Sequence, residues 1–98
     1  MEKRKFDFTI GIFDTISETI KDKILNDSKL SETYGVGIYT DKYVIEELKT
    51  YPTKNQNERL EEVKKLKKVD FVFLVNTTEK KELKELVTKA YFDFINAK

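Results

Sequence analysis

Three short runs of aromatic and β-branched residues constrain this chain more than anything else in it. They are Phe6–Phe13, Tyr34–Tyr39 and Phe71–Val75, and a charged stretch long enough for a helix separates each from the next. Such residues favour pleated, half-buried backbone. The third run, Phe-Val-Phe-Leu-Val, is apolar without interruption, the pattern of a parallel strand covered on both faces. Gly35 and Gly37 inside the second run point to a close approach by backbone or helix. Strands alternating with helical segments argue for a parallel sheet between two helical layers.

The intervening stretches carry helical periodicity. Ile16, Ile20 and Ile24 form one stripe. Thr15 with Glu18 three residues later fits a capping box for a helix running to about Asn26–Ser28. Thr40 is placed to cap a short helix over Tyr43–Leu48. Thr50–Asn57, with Pro52, reads as a loop. Glu58–Lys68 reads as a helix with Leu60, Val63 and Leu66 inward. Its lysines, Lys64, Lys65, Lys67 and Lys68, read as a solvated face paired at i,i+4 with Glu61 and Glu62. After the third strand, Leu83, Leu86, Val87 and Ala90 mark another helical face. Phe92–Ile95 reads either as a fourth short strand or as the continuation of that helix. The predicted fold is a three-layer α/β sandwich, about four parallel strands in order 3-2-1-4 with helices on both faces. The 98 residues are expected to form a single domain.

Composition excludes several chemistries. Cysteine is absent, so there are no disulfides, thiolate nucleophiles or Cys-based metal sites. Histidine is absent as well, which removes the commonest general base and the usual zinc ligand. A net charge of +1 gives no global field towards nucleic acid or membrane. No apolar run has the length to span a bilayer, and no apolar stretch with a cleavage site follows the charged start, so neither a span nor a signal peptide is read here. A reducing, cytoplasmic compartment is the expectation.

An ordered set of short motifs adds to this reading. It comprises Gly11-Ile12-Phe13-Asp14 closing the first strand, Val36-Gly37-Ile38 with Thr40-Asp41, and Lys49 ten residues before Arg59. It continues with Asn57-Glu58-Arg59, Val69-Asp70, Lys89 and Asp93-Phe94-Ile95. In this the chain resembles the cytidylyltransferase family, in particular the choline-phosphate, ethanolamine-phosphate and glycerol-3-phosphate cytidylyltransferases. The resemblance implies a Rossmann-like fold that binds nucleotide at the carboxyl ends of its strands. It also implies transfer of cytidine monophosphate from CTP to a phosphorylated alcohol, with magnesium, and a homodimer. By the same resemblance, Gly11, Ile12, Phe13, Asp14 and Arg59 face nucleotide, and Lys49 neutralises phosphate charge as the catalytic cation.

The chain departs from the family at two places. The family's His-x-Gly-His motif falls on Ser17, Glu18, Thr19 and Ile20, so both imidazoles and the glycine are gone. Ile20 donates no hydrogen bond, Thr19 places a side chain where backbone should approach ligand, and Glu18 adds negative charge at an anion-binding helix end. Losing one preorganised charge-stabilising donor typically costs about 2.7–4 kcal/mol of transition-state stabilisation. The family's later Arg-Thr-x-Gly-Ile-Ser-Thr type segment is also not found in this sequence, so the resemblance leads to the expectation of a domain C-terminally truncated relative to the family.

Three functions stay open on the sequence. The first is a degenerate, catalytically weak or inactive nucleotidyltransferase acting as a nucleotide-binding, regulatory or assembly module, with CTP and magnesium as its ligands if any affinity survives. The second is an active cytidylyltransferase completed by another subunit. The third is a plain protein-interaction domain. No metal of the protein's own, no nucleic acid and no membrane enter any of them. Arg59 likewise has two readings, a structured corner near nucleotide or a helix-start ion pair.

Overall fold

The computed structural model describes residues 4–97. In chain order the elements are β1 (Arg4–Gly11), α1 (Glu18–Ser28), β2 (Ser31–Tyr39), α2 (Asp41–Glu46), α3 (Gln56–Lys64), β3 (Phe71–Val75) and α4 (Lys80–Asn96). The strands are parallel, in order β1-β2-β3. In the register Asp7 lies opposite Tyr34, Gly35 opposite Phe71, and Gly37 opposite Phe73.

The period-2 alternation of the middle strand sorts the core into two halves. Tyr34, Val36 and Ile38 face one way, where Ile24 of α1 and Val63 of α3 pack on them, with Phe13, Ile16, Ile20, Leu60 and Leu66 around the rim. The opposite face of β2 offers Gly35, Gly37 and Tyr39. There Phe71, Phe73 and Val75 of β3 meet Phe6, Phe8 and Ile10 of β1 beneath Val87, Leu83, Leu86, Ala90, Tyr91 and Phe94 of α4. Helices thus cover both faces of a parallel sheet, the Rossmann-like three-layer arrangement expected from the alternation of strands and helices.

The two glycines of β2 answer to side chains rather than to backbone. A Cβ at Gly37 would stand 2.8 Å from the Phe73 ring and from Val75 Cγ2, and one at Gly35 would collide with the Phe71 ring. The rings of β3 lean over the bare middle strand.

Several sequence expectations need correction. The fourth strand is not formed among the described residues. Phe92–Ile95 belongs to α4, because the helical spacing of Leu83, Val87, Tyr91 and Phe94 continues unbroken, with Tyr91 stacked on Phe6 at 4.4 Å and Phe94 beside Phe71 at 5.9 Å between ring centroids. The sheet keeps the 3-2-1 part of the expected order and lacks the strand beside β1. The first helix is capped by Ser17, whose Oγ accepts from Ile20 N at 3.3 Å, and not by Thr15. The turn around Phe13 delays the helix start. A capping box does exist further on, between Asn55 and Glu58 at the start of α3. Thr40 caps its helix as expected, accepting from Tyr43 N at 3.2 Å, but that helix runs over Asp41–Glu46 and not Tyr43–Leu48. That third helix ends at Lys64 rather than Lys68, since Leu66 turns inward and Asp70 N donates to Tyr34 O at 2.8 Å to open β3. Lys65 closes the helix as its C-cap, and Lys67 and Lys68 lie beyond it. Among the described residues no ion pair joins them to Glu61 or Glu62, and Glu62 instead faces Lys54 Nζ at 3.9 Å. Among the same residues no helix is long and apolar enough to cross a membrane.

Candidate functional site

Open parallel sheets bind ligands beyond the carboxyl ends of their strands, where loops converge. Here the chain leaves β1 at Gly11 and turns at Phe13, which sits at φ 57°. That is left-handed backbone, costing about 1–3 kcal/mol for a bulky residue unless its surroundings hold it there. The Phe13 ring folds back to within 3.0 Å of where a Cβ of Gly11 would be, so the glycine makes room for the turn. The second positive-φ non-glycine among the described residues is Lys49, also at φ 57°, in the turn after α2.

Asp14 joins this turn to the loop before α3. Its Oδ2 accepts from Thr53 N and its Oδ1 from Lys54 N, both at 2.8 Å. Those two backbone donors hold its carboxyl below the usual carboxylate range, with Arg59 adding a smaller electrostatic pull.

Arg59 is the hub of the corner. It projects from α3 and is fully buried. Its Nε donates to Lys54 O at 3.0 Å, Nη1 to Ile12 O at 2.8 Å, and Nη2 to Asp41 Oδ1 at 2.6 Å. Asp41 in turn exchanges two bonds with Gln56: Asp41 N donates to Gln56 Oε1 at 3.0 Å, and Gln56 N to Asp41 Oδ2 at 3.1 Å. One guanidinium thus ties the end of β1, the first residue of α2 and the loop entering α3. A buried charge survives where it is paired and hydrogen-bonded, and this one is both.

The remaining sequence-predicted positions fall as follows. Lys49 is exposed and has no ion pair among the described residues. Ser17 uses its hydroxyl to cap α1, Glu18 and Thr19 are exposed, and Ile20 packs into the aliphatic half of the core. The structure brings Gly11, Ile12, Phe13, Asp14 and Arg59 together in one corner, through bonds among themselves and the 53–54 loop. Among the described residues no group of three or more His, Cys, Asp or Glu side chains could hold a metal ion.

A cleft of about 400 Å³ opens nearby, beyond the ends of β2 and β3. Its walls are Thr40, Lys42, Tyr43, Glu46, Glu47, Asn76, Thr77 and Thr78. Tyr43 is held by stacking on Tyr39 at 4.7 Å. Reading the sequence missed this cleft. The available signal is the polar Asn76-Thr77-Thr78 run immediately after an apolar parallel strand. One lysine faces two glutamates there, a poor balance for a polyanion.

No protein-family model matches the chain, and no curated protein matches it. Among solved structures it is similar to the lipopolysaccharide core biosynthesis protein of Thermoplasma volcanium GSS1, with a TM-score of 0.73 at 22% sequence identity. The match covers 83% of this chain and 66% of that one, so the chain spans about two thirds of that protein's length. At this identity the likeness establishes the shared α/β fold.

Proposed function

We propose that this chain is a cytidylyltransferase-like domain that has lost nucleotidyl-transfer chemistry and keeps its strand-end corner as a nucleotide-binding, regulatory or assembly element. One observation carries the reading: the charged groups of the corner are engaged with the protein itself. Arg59 bonds Ile12, Lys54 and Asp41, and Asp14 bonds the 53–54 backbone. A guanidinium buried in this way shapes the loops and does not reach a transferring phosphoryl group. Ser17 and Ile20, standing where the family's imidazoles belong, supply a helix cap and a core contact. Lys49 is left as the exposed cation that meets phosphate. Magnesium, where it takes part, arrives on the nucleotide's phosphates, since the oxygens of Asp14 and Asp41 already accept protein hydrogen bonds. A second copy of the chain is the proposed assembly partner.

Isothermal titration with CTP and magnesium tests the binding, and pyrophosphate release with a panel of phosphorylated alcohols tests the chemistry. The expected outcome is a weak binding heat that Lys49→Ala removes, and no pyrophosphate above background. Turnover that Lys49→Ala abolishes would show a working transferase and overturn the proposal. Absence of any binding heat would remove its nucleotide-binding part.

A further inference from the structure

The sheet order leaves the outer side of β1 without a strand partner among the described residues. Beside that edge runs an apolar groove of about 410 Å³, between β1 and the near side of α4. Phe6, Phe8, Leu83 and Val87 line its interior. Lys80 and Lys84 make one end positive, while at the other Arg4 lies against Asp7, which also lines the groove. Arg4 stands at the amino end of β1. Lys80 and Lys84 stand on the first turns of α4, which runs back along the sheet so that its later residue Tyr91 reaches Phe6. Both lysines are exposed and have no ion pair among the described residues.

The edge itself is guarded by one side chain. Phe8 N donates to Asp7 Oδ1 at 2.8 Å, so its N–H is taken by the neighbouring carboxylate and not by another strand. Arg4 Nη1 lies 3.5 Å from Asp7 Oδ2 and holds that carboxylate in place. A charge on an open edge is a common defence against unwanted pairing. Here the defence is a single detachable contact, and the strand behind it spans eight residues.

We infer that the β1 edge is a docking site for an extended segment of a partner protein, with apolar residues at its centre and acidic residues where it meets Lys80 and Lys84. Backbone pairing along β1 supplies affinity, and the groove and its cations select the side chains. Charge decides the occupant. A second copy of the chain would bring its own unpaired Lys80 and Lys84 to a seam that is already net positive, whereas an acidic segment meets opposite charge at those two lysines. The inference rests on the sheet edge and stands apart from the nucleotide corner.

The test uses the full chain and a fluorescent synthetic peptide of β1's length, with valine and isoleucine at its centre and glutamate at both ends. A second peptide carries lysine at the ends instead. Anisotropy titration should give at least about tenfold tighter binding for the glutamate peptide, a difference that rising salt reduces. The double variant Lys80→Glu with Lys84→Glu, both exposed helix positions, should erase that preference. Asp7→Ala, which frees the Phe8 N–H, should tighten binding a few-fold, and amide signals of Phe6, Phe8 and Ile10 should shift as peptide is added. Equal affinity for the two peptides would overturn the inference, as would unmoved β1 amides. So would concentration-dependent self-pairing of β1 in the absence of peptide.

Discussion

The two faces of this sheet solve the same packing problem in opposite ways. On the α1 and α3 side, β2 supplies the bulk itself through Tyr34, Val36 and Ile38, and Ile24 and Val63 close over them. On the α4 side β2 supplies almost none. Gly35 and Gly37 leave it bare, and phenylalanines from the flanking strands spread over the gap, with Phe71 and Phe73 stacked 6.1 Å apart and Phe8 edge-on to Phe73 at 6.3 Å. The first face is interdigitated aliphatic packing, sensitive to lost volume. The second is a lattice of rings that tolerates no added atom on the middle strand. The aliphatic face also ends in a polar cap, Arg59, whereas the aromatic face ends in the Tyr39–Tyr43 stack.

The largest effect should come from the polar cap. Arg59→Met removes the cation paired with Asp41 and frees three tied segments, and should cost about 3–5 kcal/mol, read as a lower urea midpoint. Ile38→Ala opens a cavity in the aliphatic face and should cost about 2–5 kcal/mol. For a domain of this size that lowers the melting temperature by about 4–8 °C per kcal/mol. Gly35→Ala should cost about 1–3 kcal/mol by overpacking, although alanine normally suits a strand better than glycine. A double-mutant cycle sharpens the contrast. Phe71→Leu should relieve Gly35→Ala, so that the pair loses less than the sum of the singles, while Phe71→Leu with Val36→Ala, on opposite faces, should add. Strict additivity of Gly35→Ala with Phe71→Leu would break the account of the aromatic face.

The smallest effect is a pH dependence. The Asp14 carboxyl lies below its ordinary 3.8 because Thr53 and Lys54 donate to it. A depressed folded value means its contribution is present above 3.8 and is lost as pH falls through the lower folded value. Asp14→Asn should therefore flatten the acid limb of stability, followed by denaturant unfolding across that range, and leave the shape of the curve near neutrality unchanged.

The residues show why some of this was legible and some was not. β3 was readable to the residue because five consecutive apolar side chains in a short run fit only a covered strand. The ends of β1 and β2 were not. Arg4 and Ser31 look like turn residues and are recruited by register, while Phe13 looks like strand and is expelled by a turn. Phe92–Ile95 satisfied both the strand and the helix pattern, and the contacts of Tyr91 and Phe94 across the sheet decided for helix. The corner was legible only in its membership. Asp14 reaches partners 39 and 40 residues away, and Arg59 reaches Ile12 at a separation of 47, distances that local periodicity does not encode. That Arg59 turns inward rather than towards a ligand follows from its burial, which no motif announces.

The pairing of Gly35 with Phe71 and of Gly37 with Phe73 bears on how such a chain can change over generations. Neither partner can drift alone: a side chain gained on the middle strand collides, and a ring lost from its neighbour uncovers the sheet. Any lineage that leaves this arrangement must pass through a weakened ancestor or alter both positions together, so these four sites should change as linked couples.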